Sequence, residues 1–159
     1  APSRILEWDG SSFVPFQTLE APTGRAFQVL RAGGRLQLAF ATIAGETQVL
    51  DWTGDRFEPA QTLGGPGGRE FATTTVDGTP YLVLVRFIEG TPAAPRTDLR
   101  SVIFRWDGQG WTEAETFPTF GATDASFFTR GGRTYLVVTN SLTAEIRFRQ
   151  DTVVYEFLG

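Results

Sequence analysis

One pair of side chains in this sequence has a covalent chemistry open to it: Glu113 and Glu115, two residues apart in a strand-like stretch. Alternate residues of a strand share a face and lie about 7 Å apart. Two carboxyls so placed are what glycoside hydrolysis needs, one as acid and one as base or nucleophile. Other chemistries lack their residues. The 159 residues include no His, Cys or Met, and all 14 basic residues are Arg. Without His or Cys there is no Ser-His-Asp or Cys-His nucleophile and no usual zinc site. Without Lys there is neither a Schiff base nor a GxxxxGK[ST] phosphate loop. No residues stand at metal-ligand spacing, and no cofactor is expected. Carboxylates spaced i, i+2 are common by chance, so the sequence favours a binding protein over a glycosidase.

Binding draws on other residues. Arg presents a planar fork suited to carboxylates and hydroxyls, and an exposed Trp can stack on a sugar ring. Arg25, Arg69 and Asp124 fall close together in the repeat register set out below, at the start of each innermost strand. Trp111 and the loop at Arg96 and Arg100 are further candidate ligand contacts. Each has a plainer alternative. Trp111 shares its position with Phe13 and Phe57, as a core residue does, and an arginine can be ordinary solvated charge.

The elements that must position these residues are repeated. A segment of about fifty residues occurs three times, and the first strand of a fourth copy closes the chain. ILEW, VLDW, IFRW and VYEF end at Trp8, Trp52, Trp106 and Phe157. Five residues after each Trp stands Phe13, Phe57 or Trp111, and nine after it Gln17, Gln61 or Glu115. The copies span 3–46, 47–100 and 101–150, with the fourth beginning at 151–159. Each reads as four short strands. In the third these are SVIFRW, WTEAETF, ASFFTR and TYLVVTN, divided by turn signals at 107–110 and at Gly131-Gly132. No stretch has a helical period. Leu6, Leu50, Phe104 and Tyr155 share a strand face with the closing aromatics. Ile5, Val49, Ile103 and Val154 lie on the other face, so both sides are covered, as in stacked blades. The copies differ in length in one slot, at EGTPAAPRTDLR (89–100) and SLTAEIRFRQD (141–151). The first is Pro-rich and expected to be irregular. Insertions at one repeat position emerge on one face, often the binding face.

A net charge of −4 argues against a nucleic-acid partner. The longest apolar run, Tyr81 to Val85, is far below the roughly 18 residues of a membrane span, so no membrane insertion is expected. Arg without Lys, with abundant Ala, Gly and Thr, points to a bacterial source. An Ala-Pro-Ser start is what signal-peptide removal leaves, so an extracellular or periplasmic location is expected.

SVIFRWDGQGW (101–111), Glu115 and Phe117, FGAT (120–123) and FFTRGGRTYLVVTNS (127–141) together resemble the EPTP or EAR repeat, known from the leucine-rich glioma-inactivated proteins. ILEWDGSSFVPFQTL (5–19) and VLDWTGDRFEPAQTL (49–63) match more loosely. The aromatic at Phe27 and Phe71 is Ala125 in copy three, and the fourth-strand Asn appears only at Asn140. The resemblance implies an all-β fold of β-propeller blades, four antiparallel strands each, and a non-enzymatic role in extracellular protein–protein contact. WDGQGW (106–111) is also similar to small fucose-binding propeller lectins, so a glycan is the alternative partner. In family register the chain holds about three blades: two complete, a third lacking its outer strand, and a hairpin at 4–19. That makes thirteen strands. Such a piece is expected either to belong to a longer propeller chain or to self-associate, the hairpin of one copy covering the open end of another.

Overall fold

The computed structural model of the protein describes residues 2–21 and 23–158. Among them every regular element is a strand. The chain opens with a hairpin, β1(Ser3–Trp8) and β2(Phe13–Leu19). An antiparallel meander follows, blade one: β3(Gly24–Ala32), β4(Arg35–Thr42), β5(Gln48–Trp52) and β6(Phe57–Thr62). Blade two begins with β7(Gly68–Val76) and β8(Thr79–Arg86). A two-stranded ribbon interrupts it, β9(Glu89–Thr91) and β10(Ala94–Arg96), before β11(Asp98–Trp106) and β12(Trp111–Phe120) complete the sheet. Blade three has β13(Ala122–Arg130), β14(Arg133–Asn140) and β15(Thr152–Phe157). The blades are offset from the sequence copies: each takes its inner two strands from the end of one copy and its outer strands, two in blades one and two and β15 alone in blade three, from the start of the next. The thirteen expected strands are present, and the ribbon adds two where an irregular loop was expected. Pro95 does not prevent it, because β10 pairs on one side only and proline is tolerated in such an edge strand.

The repeated turn explains why the outer hairpins form. Gly10, Gly54 and Gly108 adopt φ of 104°, 111° and 101°, which only glycine takes without strain. In the first copy Asp9 Oδ1 accepts the backbone N–H groups of Ser11 (2.8 Å) and Ser12 (2.9 Å). In the third Asp107 Oδ1 accepts those of Gln109 (2.8 Å) and Gly110 (2.9 Å). The middle copy starts its turn with Thr53, whose hydroxyl donates to Asp55 instead (2.8 Å). Each turn brings the closing Trp opposite the aromatic five residues on. Ring centroids are 5.2 Å apart for Trp8–Phe13, 5.1 Å for Trp52–Phe57 and 5.5 Å for Trp106–Trp111.

Burial along the repeat shows how the blades stack. Leu50 and Phe104 face the preceding strands and are 3% and 5% exposed, whereas Leu6, which no described blade covers, is 49% exposed. On the opposite face Val49 and Ile103 are buried, whereas Val154 is 55% exposed. Three apolar clusters result: Leu38, Phe40 and Leu50 against the hairpin; Val49, Leu82, Phe104 and Trp106 between blades one and two; and Val83, Ile103, Phe117 and Leu136 between blades two and three. Burial of these faces is the main stabilising term.

The Gln of the repeat joins one blade to the next. A bulge on each outer strand leaves Phe16, Ala60 and Ala114 without a cross-strand partner, and the next residue turns toward the following blade. Gln17 accepts the N–H of Phe57 (2.9 Å) and donates to its carbonyl (2.7 Å). Gln61 does the same to Trp111, at 2.9 and 2.5 Å.

Candidate functional site

The starts of the inner strands and the variable segments share one end of the blades. Gly24 pairs with Thr42, Gly68 with Arg86 and Ala122 with Asn140, so each inner strand begins where the second strand ends. Hydrogen bonds tie the loops of this rim together. The N–H of Gly67 donates to the carbonyl of Ile43 (2.8 Å), that of Phe87 to Gly67 (2.8 Å) and that of Gly121 to Thr97 (2.9 Å). The Thr97 hydroxyl donates to the carbonyl of Thr143 (2.8 Å), bringing in the segment after β14.

A bulge at each inner-strand start places Arg25, Arg69 and Thr123 in equivalent positions. Asp124 thus stands one residue beyond the two arginines, as the alignment of Ala125 with Phe27 and Phe71 implies. Its counterpart is Glu70: Asp124 Oδ1 accepts the N–H of Ala125 and Glu70 Oε1 that of Phe71, both at 2.9 Å. β7 packs against both β3 and β13, so the three starts are neighbours on the rim. Arg25 is exposed and Arg69 half-buried. Among the described residues neither forms an ion pair.

Arg96 and Arg100 are engaged within the chain. Arg86 Nη2 and Arg96 Nη2 reach the two oxygens of Glu89 at 2.7 and 2.5 Å, and the Glu89 side chain is only 13% exposed. Two guanidinium groups on one shielded carboxylate brace the ribbon. Arg100 donates to the hydroxyl and carbonyl of Thr116, at 2.7 and 2.6 Å. Neither contact was legible in the sequence.

Two further expectations are corrected. Trp111 is buried between blades one and two, and its indole N–H donates to Gln37 Oε1 (3.0 Å). That leaves no ring face for a sugar. Glu113 pairs with Phe104 and Glu115 with Ile103, because Ala114 is the bulged residue between them. Directly paired residues point to one side of a sheet. Phe104 packs toward blade one and Ile103 toward blade three, so the two carboxylates point to opposite faces. They cannot act on one bond. Among the described residues no group of three or more acids is placed to hold a metal.

The EPTP domain model matches residues 56–107 and 113–157, which run from β6 through β11 and from within β12 through all of blade three. The chain belongs to the EPTP family. EPTP repeats form propeller blades and are generally non-catalytic, which agrees with the separated carboxylates. No curated protein matches the sequence.

The EPTP blade pattern also explains a cavity of about 330 Å³ between blades two and three, lined by Tyr81, Ile103, Glu115, Phe117, Tyr155 and Phe157. Tyr81 pairs with Arg105 as Gln37 pairs with Asp51, and Glu115 pairs with Ile103 as Gln61 pairs with Val49. The cavity therefore has the walls that surround Trp111, one blade further on. Burial pushes the Tyr155 phenol up from its ordinary value. The series Gln17, Gln61, Glu115 marked this place in the sequence.

Proposed function

We propose that the chain is a non-enzymatic binding module that meets a protein partner outside the cell through the rim of Arg25, Arg69 and the β9–β10 ribbon. The observation that carries this reading is the coincidence at one end of two arginines that form no ion pair among the described residues and a ribbon held in place by Glu89. A braced ribbon loses little conformational freedom on binding. Guanidinium groups free of internal carboxylates can take planar acceptors such as Asp and Glu side chains. Membership of a family that typically binds proteins supports the choice of partner over a glycan, and the buried Trp111 removes the main argument for a sugar.

The test is a panel of extracellular proteins and a glycan array, both probed with the immobilised chain. Saturable binding to a protein is expected, weakened about tenfold or more by Arg25→Ala with Arg69→Ala. Saturable binding to one sugar epitope, with no protein bound, would replace this reading by the lectin one. A double variant with unchanged affinity would move the site off the rim.

A further inference from the structure

Asp-Gly dipeptides stand in turns at Asp9-Gly10, Asp77-Gly78 and Asp107-Gly108. Each carries a latent chemistry, because glycine sets no side chain between its own amide nitrogen and the preceding carboxyl carbon. In the two outer hairpins that carboxyl is caged. Asp9 accepts the amides two and three residues on, from Ser11 and Ser12, and Asp107 accepts those of Gln109 and Gly110. Asp77 lacks such a cage. It opens the two-residue turn between β7 and β8, with φ of 47° at Asp77 and 79° at Gly78. The residue two on, Thr79, pairs across the turn with Val76, and the residue three on is Pro80, which has no N–H. Among the described residues no basic side chain pairs with the exposed Asp77 carboxylate either.

The backbone sets Asp77 apart from its equivalents as well. The same turn is Gly33-Gly34 in blade one, at φ of 56° and 75°, and Gly131-Gly132 in blade three, at 59° and 75°. Glycine adopts such angles freely, whereas a residue with a Cβ is strained by them. The tip of blade two therefore gains by opening where the other two do not, and a hairpin tip opens locally without unfolding its sheet. The chain's one Asn, which can cyclise in the same way, is held shut. Asn140 is 6% exposed, its Oδ1 accepts the N–H of Phe120 (2.8 Å) and its Nδ2 donates to the carbonyl of Asp151 (3.2 Å).

We propose that Asp77-Gly78 is the site at which this chain modifies itself, cyclising to a succinimide and reopening to isoaspartate. The Gly78 nitrogen, its proton taken up by solvent, attacks Cγ of Asp77. A C–N bond forms, the Cγ–O bond of the neutral carboxyl breaks, and the hydroxyl leaves with a proton as water. A second water then opens the ring. Addition at Cγ restores aspartate, and addition at the Asp77 main-chain carbonyl leaves the chain running through Cβ and Cγ. Only water is released and consumed. The first step is opposed a second time in the outer hairpins. The amides of Ser12 and Ser11 hold the Asp9 carboxyl down from 3.8 to about 2, which makes its neutral form about tenfold or more scarcer. Those of Gly110 and Gln109 lower Asp107 in the same sense. Isoaspartate at 77 lengthens a loop of two residues and loosens Val76, which packs on the cluster between blades two and three. This turn closes the end of blade two opposite Gly68 and Arg86, so the reaction is independent of what the rim binds.

Incubation of the folded protein in heavy-oxygen water at neutral pH tests this. After peptic digestion in ordinary water, fragment mass spectra read both the label and the isoaspartate at each dipeptide. Both are expected to accumulate at Asp77 about tenfold or more faster than at Asp9 or Asp107. In concentrated urea, where cages and turns are gone, the rates at the three sites are expected to converge. Asp77→Gly gives blade two the Gly-Gly turn of its neighbours and is expected to fold and to take up no label at that turn. Label at Asp9 or Asp107 as fast as at Asp77 in the folded protein overturns the proposal. So does a folded protein that takes up none at Asp77. A lead of Asp77 that persists unchanged in urea would assign the preference to flanking residues and not to the fold, and also overturns it.

Discussion

Gln61 holds Trp111 by both polar groups of its backbone, accepting the N–H at 2.9 Å and donating to the carbonyl at 2.5 Å. One side-chain amide thus does for two blades what a neighbouring strand does within one. The bulge at Ala60 makes this possible, since it turns the next residue out of the regular alternation of β6 and toward β12.

Gln61→Leu removes both bonds and leaves a part-buried N–H and carbonyl without partners. We expect a loss of about 2–3 kcal/mol in unfolding free energy. Gln61→Glu keeps the acceptor and loses the donor, and about 1 kcal/mol is expected. Urea denaturation with an unchanged slope measures both. If the leucine variant is as stable as the wild type, the clamp is ornamental.

The indole of Trp111 is the other half of this joint. Its N–H meets Gln37 Oε1 at 3.0 Å, and Gln37 Nε2 in turn meets Asp51 at 2.6 Å. Trp111→Phe should cost about 2–4 kcal/mol, because it opens space in a buried interface and strands the Gln37 oxygen. Gln37→Leu in the same chain removes the stranded oxygen. The double variant is therefore expected to lose less than the sum of the two single changes, and a double-mutant cycle reads the difference directly.

The sequence made the blade pattern legible because turn and core positions repeat together. Trp52 and Phe57 sit five apart for the same reason as Trp106 and Trp111: one glycine turn sets both distances. Bulges were not legible. A strand with Ala60 or Ala114 reads as continuous, and the extra residue shows only in the pairing, so Glu113 and Glu115 looked like a pair on one face. The ribbon was hidden by its length: β9 and β10 have three residues each, with Pro95 in the middle of one. What holds it is Glu89 between Arg86 and Arg96, and no local pattern announces that contact.

The turn carboxylates make a prediction about acid. Backbone N–H groups of Ser12 and Ser11 hold the Asp9 carboxyl down from 3.8 to about 2. The amides of Gly110 and Gln109 lower Asp107 in the same way. A depressed folded-state value means that the contribution of Asp9 is complete above the ordinary 3.8 and is lost as pH falls toward about 2. Asp9→Ala should therefore be less stable than the wild type at neutral pH, and the gap should close over that interval. Denaturation curves at a series of pH values follow it. A gap that persists at the acid end would mean that Asp9 acts through something other than its charge.

Gly68 opens β7 one residue before Arg69, and the space there is already taken. A Cβ on Gly68 would stand 2.5 Å from Thr47 Oγ1, 3.2 Å from the Thr42 carbonyl and 3.3 Å from Ala41 Cβ, all on or beside blade one. The hydroxyl belongs to a short, fully buried side chain, and the carbonyl belongs to backbone next to the β3–β4 pairing. Neither can retreat far. Gly68→Ala is expected to cost about 1–3 kcal/mol by overpacking. Adding Thr47→Ala removes the nearest atom but not the carbonyl, so only part of the loss should return. Because β7 begins at this contact, the strain should also appear locally, as faster hydrogen exchange at Glu70 and Arg86 than at Thr75 in the same variant. Equal exchange at all three would show that blade two yields as a whole and that the contact with Thr47 is not what fixes its inner edge.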